Sequence, residues 1–223
     1  MKFIRYIGIY DTIKEGKLKR DCSLAAIKKM DYIVNSLNRS GNAVQIVSIA
    51  RNKETSQGGI IQEYVNGRIK NQLVLGPCIG SKCKIISAIG ELEIRLWLFM
   101  WLIFHIHKNE KILVYHSQRL MLPIYIASKI KHFRYILEVE ELYYKFGLCS
   151  EWIARNEKKV IMNADALIAS TENIVKELRY PKKAIYLHGN YQNLKIREIN
   201  QSGEKEIRKI VFAGGIETVR NTA

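Results

Sequence analysis

The sequence has no long hydrophobic run. Its longest uninterrupted apolar segment covers nine residues, from Leu96 to Phe104, whereas a helix needs about 20 apolar residues to cross a bilayer. A membrane-spanning segment is therefore excluded. Because Glu91, Glu93 and Arg95 lie just upstream, two interpretations remain for this segment. We favour a helix buried in the core over a helix whose outer face contacts a membrane surface.

Cysteine is sparse and dispersed. Of the 4 cysteines, only Cys78 and Cys83 lie close together, and no second pair of metal ligands stands near them, which argues against a zinc site. The N-terminal segment carries charges inside its apolar run and has no small-residue cleavage site, so it is not a signal peptide. We expect reduced, mostly buried thiols in a cytoplasmic protein, with no metal and no other cofactor.

The sequence lacks the motifs of two protein classes, the dinucleotide-dependent dehydrogenases and the nucleic-acid-binding proteins. Gly8 stands alone in the first predicted strand, so the dinucleotide fingerprint G-x-G-x-x-G is missing and a dehydrogenase is disfavoured. The sequence also has no zinc-finger spacing, no RNP-like aromatic motif and no evident recognition helix. We therefore expect no nucleic-acid partner, although a nucleic-acid-binding protein remains the third-ranked interpretation of the basic charge.

Acidic residues are too few to balance the basic ones. The chain has 21 Asp+Glu against 36 Lys+Arg and a formal net charge of +15. Such an excess attracts anionic partners, among them nucleotides and acidic lipid headgroups. Charge alone does not choose among these partners.

Strand-like and helix-like segments alternate along most of the chain, which indicates βαβ crossovers. The Asn66-Gly67 pair between short apolar runs predicts a hairpin. We predict an α/β fold with a doubly wound, mostly parallel, Rossmann-like sheet and helices on both faces. The predicted strands cover 3–10, 43–50, 111–116, 134–139, 164–169 and 185–187, and the predicted helices cover 24–39, 84–108, 150–163 and 170–179, with one more helix starting near Pro123.

The last fifteen residues have the pattern of a new βα unit. From Lys209 an apolar strand runs into the turn Gly214-Gly215, after which a helix usually begins. We expect a Rossmann-like domain over 1–191, a linker over 192–208, and over 209–223 the first strand and glycine loop of an incomplete second domain. The chain is thus expected to be part of a two-domain protein.

Candidate functional residues stand where the predicted strands end. In open α/β sheets, ligands bind outside the carboxyl ends of the strands. Any single member of this set also has a structural interpretation, since a strand-end carboxylate can cap the next helix. Taken together they favour a site, and they are Asp11, His116, Glu138, Glu140, Glu141, His188 and the Gly214-Gly215 turn.

Three segments in a fixed order carry a resemblance to a known family. They are Glu138-Val-Glu-Glu-Leu-Tyr143, the segment from Glu151 to Glu157, and Ala164-Asp-Ala-Leu-Ile-Ala-Ser-Thr171, followed by a strand-end glycine and a strand that opens a Gly-Gly loop. Together they resemble the N-terminal half of GT-B glycosyltransferases. More narrowly, the chain looks like family 4 enzymes of bacterial capsule, exopolysaccharide or lipopolysaccharide assembly.

The resemblance implies transfer of a sugar from a nucleotide-sugar donor to a saccharide or lipid-linked acceptor, with retention, in the cleft between two domains. It places His116 in catalysis. Glu140 is our second catalytic candidate, because a carboxylate there can orient an acceptor hydroxyl, and its alternative role is capping or pairing with a nearby Lys or Arg. The other implied positions are the acceptor-side cleft residues Asp11, Glu138, Glu141 and His188, and the donor-diphosphate residues Gly214, Gly215 and Arg220. Gly215 stands where many family members have Arg, and Asn221 where many have Gly.

Two functional hypotheses follow from these observations. In the first, the chain is the acceptor half of a glycosyltransferase and is inactive alone. In the second, it is a non-catalytic saccharide- or nucleotide-binding subunit of a split glycosyltransferase. The basic charge and the apolar segment from Leu96 to Phe104 also fit an enzyme in peripheral contact with an anionic membrane at its inner face.

Overall fold

An eight-stranded sheet forms the centre of the computed structural model, which describes residues 3–12, 20–52, 55–66, 69–146 and 150–187. The strands are β1 (Phe3–Gly8), β2 (Ala43–Ser48), β3 (Ile60–Asn66), β4 (Ile69–Leu75), β5 (Lys111–Tyr115), β6 (Arg134–Val139), β7 (Ala166–Ala169) and β8 (Lys183–Tyr186). The helices are α1 (Leu24–Arg39), α2 (Lys84–His105), α3 (Gln118–Lys131), α4 (Glu151–Asn163) and α5 (Glu172–Leu178), with a short 3₁₀ helix over Tyr143–Phe146.

The sheet has the doubly wound order that the sequence predicts. Its strands run β3-β4-β2-β1-β5-β6-β7-β8, and every adjacent pair is parallel except β3 with β4. The chain moves outward from β1 through β2 on one side and through β5 and β6 on the other. The topological switch point, where ligands bind in such sheets, therefore lies between β1 and β5.

Alternating residues of the strands supply two hydrophobic cores, one on each face of the sheet. Ile7 and Val114 belong to the core that α2, α3, α4 and α5 cover. Tyr6 and Leu113, their neighbours in sequence, belong to the core beneath α1. This alternation is the period of two expected for strands, and it confirms the prediction of helices on both faces.

Most element boundaries agree with the sequence pattern, and the start of α3 does not. The helix predicted to start near Pro123 begins at Gln118 instead, because Ser117 occupies the N-cap and its hydroxyl accepts the backbone N–H of Arg119. Pro123 consequently lies inside the helix. A proline there removes one backbone donor, and the rest of the helix stays continuous.

The predicted hairpin is present. β3 and β4 pair antiparallel from Ile60 with Leu75 to Asn66 with Ile69, while the turn residues between them lie outside the described segments. The predicted linker and the start of a second domain, over 192–223, also lie outside them.

Helix α2 is buried on one face only. Ile94, Leu98 and Leu102 are fully buried in the core, whereas Leu96 and Phe104 are 54% and 70% exposed. The favoured prediction of a buried helix therefore holds for its inner face alone. Gly90 fixes the helix position, because a Cβ there would lie 2.6 Å from the carbonyl oxygen of Ile79. In the described segments, no helix combines the length and apolarity needed to cross a bilayer.

Candidate site at the carboxyl edge of the sheet

The predicted site residues that the structure describes lie along one edge of the sheet. This carboxyl edge is where the parallel strands end, and it carries Asp11 after β1, His116 after β5, and Glu138 with Glu140 and Glu141 at the end of β6. The other predicted positions, His188, Gly214, Gly215 and Arg220, lie outside the described residues.

His116 is enclosed at the switch point. Its side chain is 0% exposed, and its Nε2 atom lies 3.3 Å from Oε1 of Glu157 on α4. The imidazole stacks on the ring of Tyr143, with 4.9 Å between the ring centroids. Both ring nitrogens, Nδ1 and Nε2, are buried without a hydrogen-bond partner among the described residues. Buried polar atoms are usually paired, so this imidazole departs from the usual pattern.

Glu157 is a functional candidate that the sequence did not identify. Its side chain is 0% exposed, and its two oxygens accept the backbone N–H groups of Tyr143 at 2.8 Å and Tyr144 at 2.9 Å. It therefore fixes the start of the 3₁₀ helix and the ring that stacks on His116. A detectable signal was its position on the apolar stripe of α4 with Val160 and Ile161, because a charged side chain on a buried face requires partners.

A second cluster joins α1 to the end of β6 on the opposite face of the sheet. The ammonium of Lys29 contacts Glu140 and lies 3.8 Å from Glu138, and the hydroxyl of Tyr6 donates to Glu138. Lys29 is 4% exposed, on the same face of α1 as Ile33. The Lys29 contact matches the alternative role predicted for Glu140, which is pairing with a nearby lysine. The sequence did not show which lysine this would be.

The environment of this cluster alters its protonation. Burial raises the pKa of Glu138 from 4.5 to about 7, against the lowering effect of the Tyr6 hydrogen bond and of Lys29. Burial, followed by the charge of Glu138, likewise raises the pKa of the Tyr6 hydroxyl. Glu138 therefore titrates near neutral pH, beside Glu140, whose side chain is 31% exposed.

Asp11 links the residues that follow β1 to Arg20. It is 3% exposed, and its carboxylate accepts the backbone N–H groups of Thr12 at 2.8 Å and Arg20 at 2.9 Å. The guanidinium of Arg20 in turn donates to the carbonyl oxygens of Ala50 and Gly76. The described contacts of Asp11 are thus structural, and its predicted contact with an acceptor remains a prediction.

Arginines that sequence analysis did not select surround Glu91 of α2. Arg51, which follows β2, lies 2.6 Å from a carboxylate oxygen of Glu91, and Arg119, in the first turn of α3, lies 3.0 Å from the same oxygen. Arg51 also donates to the carbonyl oxygen of Ser87. One carboxylate therefore faces at least two guanidinium groups between α2 and α3, and these three side chains together have a positive formal charge.

The described residues do not bring together three His, Cys, Asp or Glu side chains that could hold a metal ion, and the predicted lack of a cofactor stays a prediction. Cys22, Cys78 and Cys83 are free thiols. Only Cys78 of these three is buried, so the expectation of mostly buried thiols is not met among them.

No protein-family model matches the sequence, and no curated protein matches it either. Solved structures do resemble it. An alpha,alpha-trehalose-phosphate synthase (UDP-forming) from Burkholderia xenovorans, in complex with glucose-6-phosphate, aligns with a TM-score of 0.50 and 10% identity over 80% of this chain and 42% of that chain. An alpha,alpha-trehalose 6-phosphate synthase from Burkholderia multivorans aligns with a TM-score of 0.47 and 11% identity, also over 80% of this chain and 42% of that chain.

These comparisons concern the fold of the chain and the share of each synthase that it covers. The chain spans less than half the length of either synthase, and at such low identity a structural likeness defines architecture, not chemistry. The described domain has a mixed α/β, mostly parallel, Rossmann-like architecture, and its likeness to the Burkholderia xenovorans synthase supports a GT-B glycosyltransferase fold.

Proposed function

We propose that this chain is the acceptor-side domain of a glycosyltransferase. The reaction transfers a sugar from a nucleotide-sugar donor to a saccharide or lipid-linked acceptor, of the kind used in bacterial surface polysaccharide assembly. The bond between the sugar C1 and the diphosphate oxygen breaks, a bond between C1 and an acceptor oxygen forms, and the proton of the acceptor hydroxyl leaves with the nucleoside diphosphate. We further propose that the anomeric configuration is retained, as the family 4 resemblance implies.

One observation carries this proposal. The polar residues of the carboxyl edge gather beside the switch point of a sheet with a GT-B type of fold, with His116 at the end of β5 and Glu138 and Glu140 at the end of β6. Ligands of such sheets bind at this place. The synthase with the TM-score of 0.50 is UDP-forming and was solved with glucose-6-phosphate, which supports a sugar as the ligand.

We propose catalytic roles for His116 and Glu140, as predicted from the sequence. Glu140 is the partly exposed carboxylate of the Lys29 cluster, so we propose that it accepts a hydrogen bond from the acceptor hydroxyl while Lys29 holds it in place. We propose that the free Nδ1 of His116 donates to or accepts from the same substrate. A contact of this kind requires a small displacement of the residues that now enclose the ring.

The departing nucleoside diphosphate needs positive charge, which backbone N–H groups, arginine and a helix N-terminus provide without a metal. We assign this role to Gly214, Gly215 and Arg220, together with a donor-binding domain on the same or another polypeptide. The proposal therefore expects little or no transfer by residues 1–223 alone.

A second candidate function is a non-catalytic saccharide-binding subunit of a split glycosyltransferase. It is favoured by the full burial of His116 and Glu157, since a pair that only stabilises the domain has this geometry. In that case the acceptor would bind to this chain while both catalytic groups belong to its partner.

The test measures nucleoside diphosphate release from a panel of UDP- and GDP-sugars with the full gene product that contains this chain. We expect acceptor-dependent release, and a reduction of about a hundredfold for Glu140→Gln if its carboxylate assists proton transfer. Glu172→Gln, at an exposed position of α5, is the matched control and should retain full activity. Release that Glu140→Gln and His116→Ala leave unchanged would reject the proposed roles of these two residues. No release with any donor would reject a catalytic gene product and favour the non-catalytic subunit.

A further inference from the structure

An exposed apolar stripe runs the length of α2. It consists of side chains spaced three or four residues apart, which places them on one face of the helix. The members of this α2 stripe and their exposed fractions are Ile85 73%, Ile89 54%, Leu92 59%, Leu96 54%, Met100 46% and Phe104 70%. A helix of 22 residues is about 33 Å long, so the stripe is far more extended than the scattered apolar side chains of an ordinary surface.

The neighbouring helix repeats the pattern. On α3, which packs against α2, Leu122, Ile126 and Ile130 are 37%, 40% and 56% exposed. Their spacing of four residues places them on one face as well. Two adjacent helices of the same layer therefore each present an unpartnered apolar face within the described structure.

The two carboxylates of α2 have partners within the protein, although Glu93, four residues after Ile89, lies on the side of the stripe. Glu91 pairs with Arg51 at 2.6 Å, and Glu93 accepts the backbone N–H of Ile79 at 3.2 Å. Both are only partly exposed. An apolar medium can thus approach the stripe without desolvating a free carboxylate, which would be costly.

Basic side chains stand at the ends of the two helices. Lys82 and Lys84 are exposed at the start of α2, Lys108 is exposed just after its end, and Lys129 is exposed in the last turn of α3. An apolar helix face bordered by lysines is the composition of helices that lie in the interface of an anionic bilayer.

The charge of the chain favours an anionic bilayer over a second copy of the chain as the partner that covers the α2 stripe. With a formal net charge of +15, two copies repel each other, whereas a membrane surface that contains acidic lipids attracts each of them. We propose that the α2 stripe, with the adjoining face of α3, docks this protein on an anionic lipid bilayer. The proposal is independent of the reaction proposed above, because it depends on the surface of α2 and α3 and not on any residue to which a role in the reaction is assigned.

Vesicle flotation of the 223-residue chain tests the proposal, with vesicles of phosphatidylcholine alone and of phosphatidylcholine mixed with phosphatidylglycerol. The test variant is Leu96→Gln/Phe104→Gln, and the control is Leu24→Gln/Ile61→Gln. The control pair has matched exposures of 54% and 67% and lies on α1 and β3. We expect the chain to float with the mixed vesicles, more weakly with the neutral ones, and roughly tenfold less for the test variant from its lost apolar burial.

Each result has a definite meaning. Flotation lost in the test variant and kept in the control supports docking through the α2 stripe. Equal loss in both variants, equal retention in both, or no flotation at low salt would each overturn it. Sedimentation velocity of the same samples identifies a dimer, and a dimer that Leu96→Gln/Phe104→Gln dissociates, in a chain that does not float, would replace the bilayer by a second copy.

Discussion

Replacing Lys29 with methionine tests the charge cluster at the end of β6. Lys29 and Glu138 have side chains that are 5% and 2% exposed, and the distance of 3.8 Å between them corresponds to about 4 kcal/mol of attraction at an effective dielectric constant of about 20. The Glu140 contact adds less, because that carboxylate is 31% exposed. Methionine recovers part of the loss by packing between α1 and the sheet, so we expect Lys29→Met to lower the free energy of unfolding by about 3 kcal/mol near pH 8.

The loss should depend on pH in a definite direction. Burial has already raised the pKa of Glu138 to about 7, and removing the cation raises it further. Near pH 5, Glu138 is protonated with or without Lys29, so the cation has one charge fewer to compensate. We therefore expect the destabilisation to shrink to about 1 kcal/mol near pH 5.

Urea unfolding followed by tryptophan fluorescence measures this effect, because the chain contains 3 tryptophans. Lys28→Met is the matched control, since Lys28 is the adjacent residue of α1 and is exposed. It should change the free energy of unfolding by less than about 0.5 kcal/mol. Equal effects of the two substitutions, or a Lys29→Met effect that is the same near pH 5 and near pH 8, would refute the assigned cluster.

Two further substitutions probe neighbouring groups. Because the pKa of Glu138 is raised from 4.5 to about 7, the folded state binds an extra proton between these pH values, and the free energy of unfolding falls as pH rises through this interval. Glu138→Gln should remove a contribution of roughly 3 kcal/mol to that fall, measured by urea unfolding across the same range. An unchanged pH dependence of the free energy of unfolding would contradict it. Glu157→Ala leaves the N–H groups of Tyr143 and Tyr144 without their acceptor and should cost roughly 2 to 3 kcal/mol. Glu151→Ala, on the exposed start of the same helix, should cost well under about 1 kcal/mol, and equal costs of the two would show that Glu157 has no such structural role.

The sequence predicted the elements more closely than their contacts. The bounds 134–139 for β6 are those of the structure, and the helix predicted over 150–163 matches α4, whose N-cap is Ser150, because these signals are local. The start of α3 was misplaced since Ser117 and Pro123 both carry helix-start signals, and only the cap contact chooses between them.

Contacts between distant segments were beyond the reach of sequence patterns. Periodicity places Lys29 and Glu157 on the buried faces of α1 and α4, which shows that each needs a partner. Which partner it meets depends on the strand order, and Lys29 reaches β6 only because α1 lies across the face of the sheet that carries Glu138 and Tyr6. The carboxyl edge was thus predicted as a location, and its pairing was not.

The direction of α2 relates its exposed face to the carboxyl edge. The helix joins the end of β4 to the start of β5, so it runs antiparallel to these strands, and Ile85 stands at the end of the helix nearest to Asp11 and His116. If the α2 stripe lies on a bilayer, the strands of the sheet run roughly parallel to the bilayer surface. The carboxyl edge then opens along that surface, where the headgroup of a lipid-linked substrate would be within reach without leaving the bilayer.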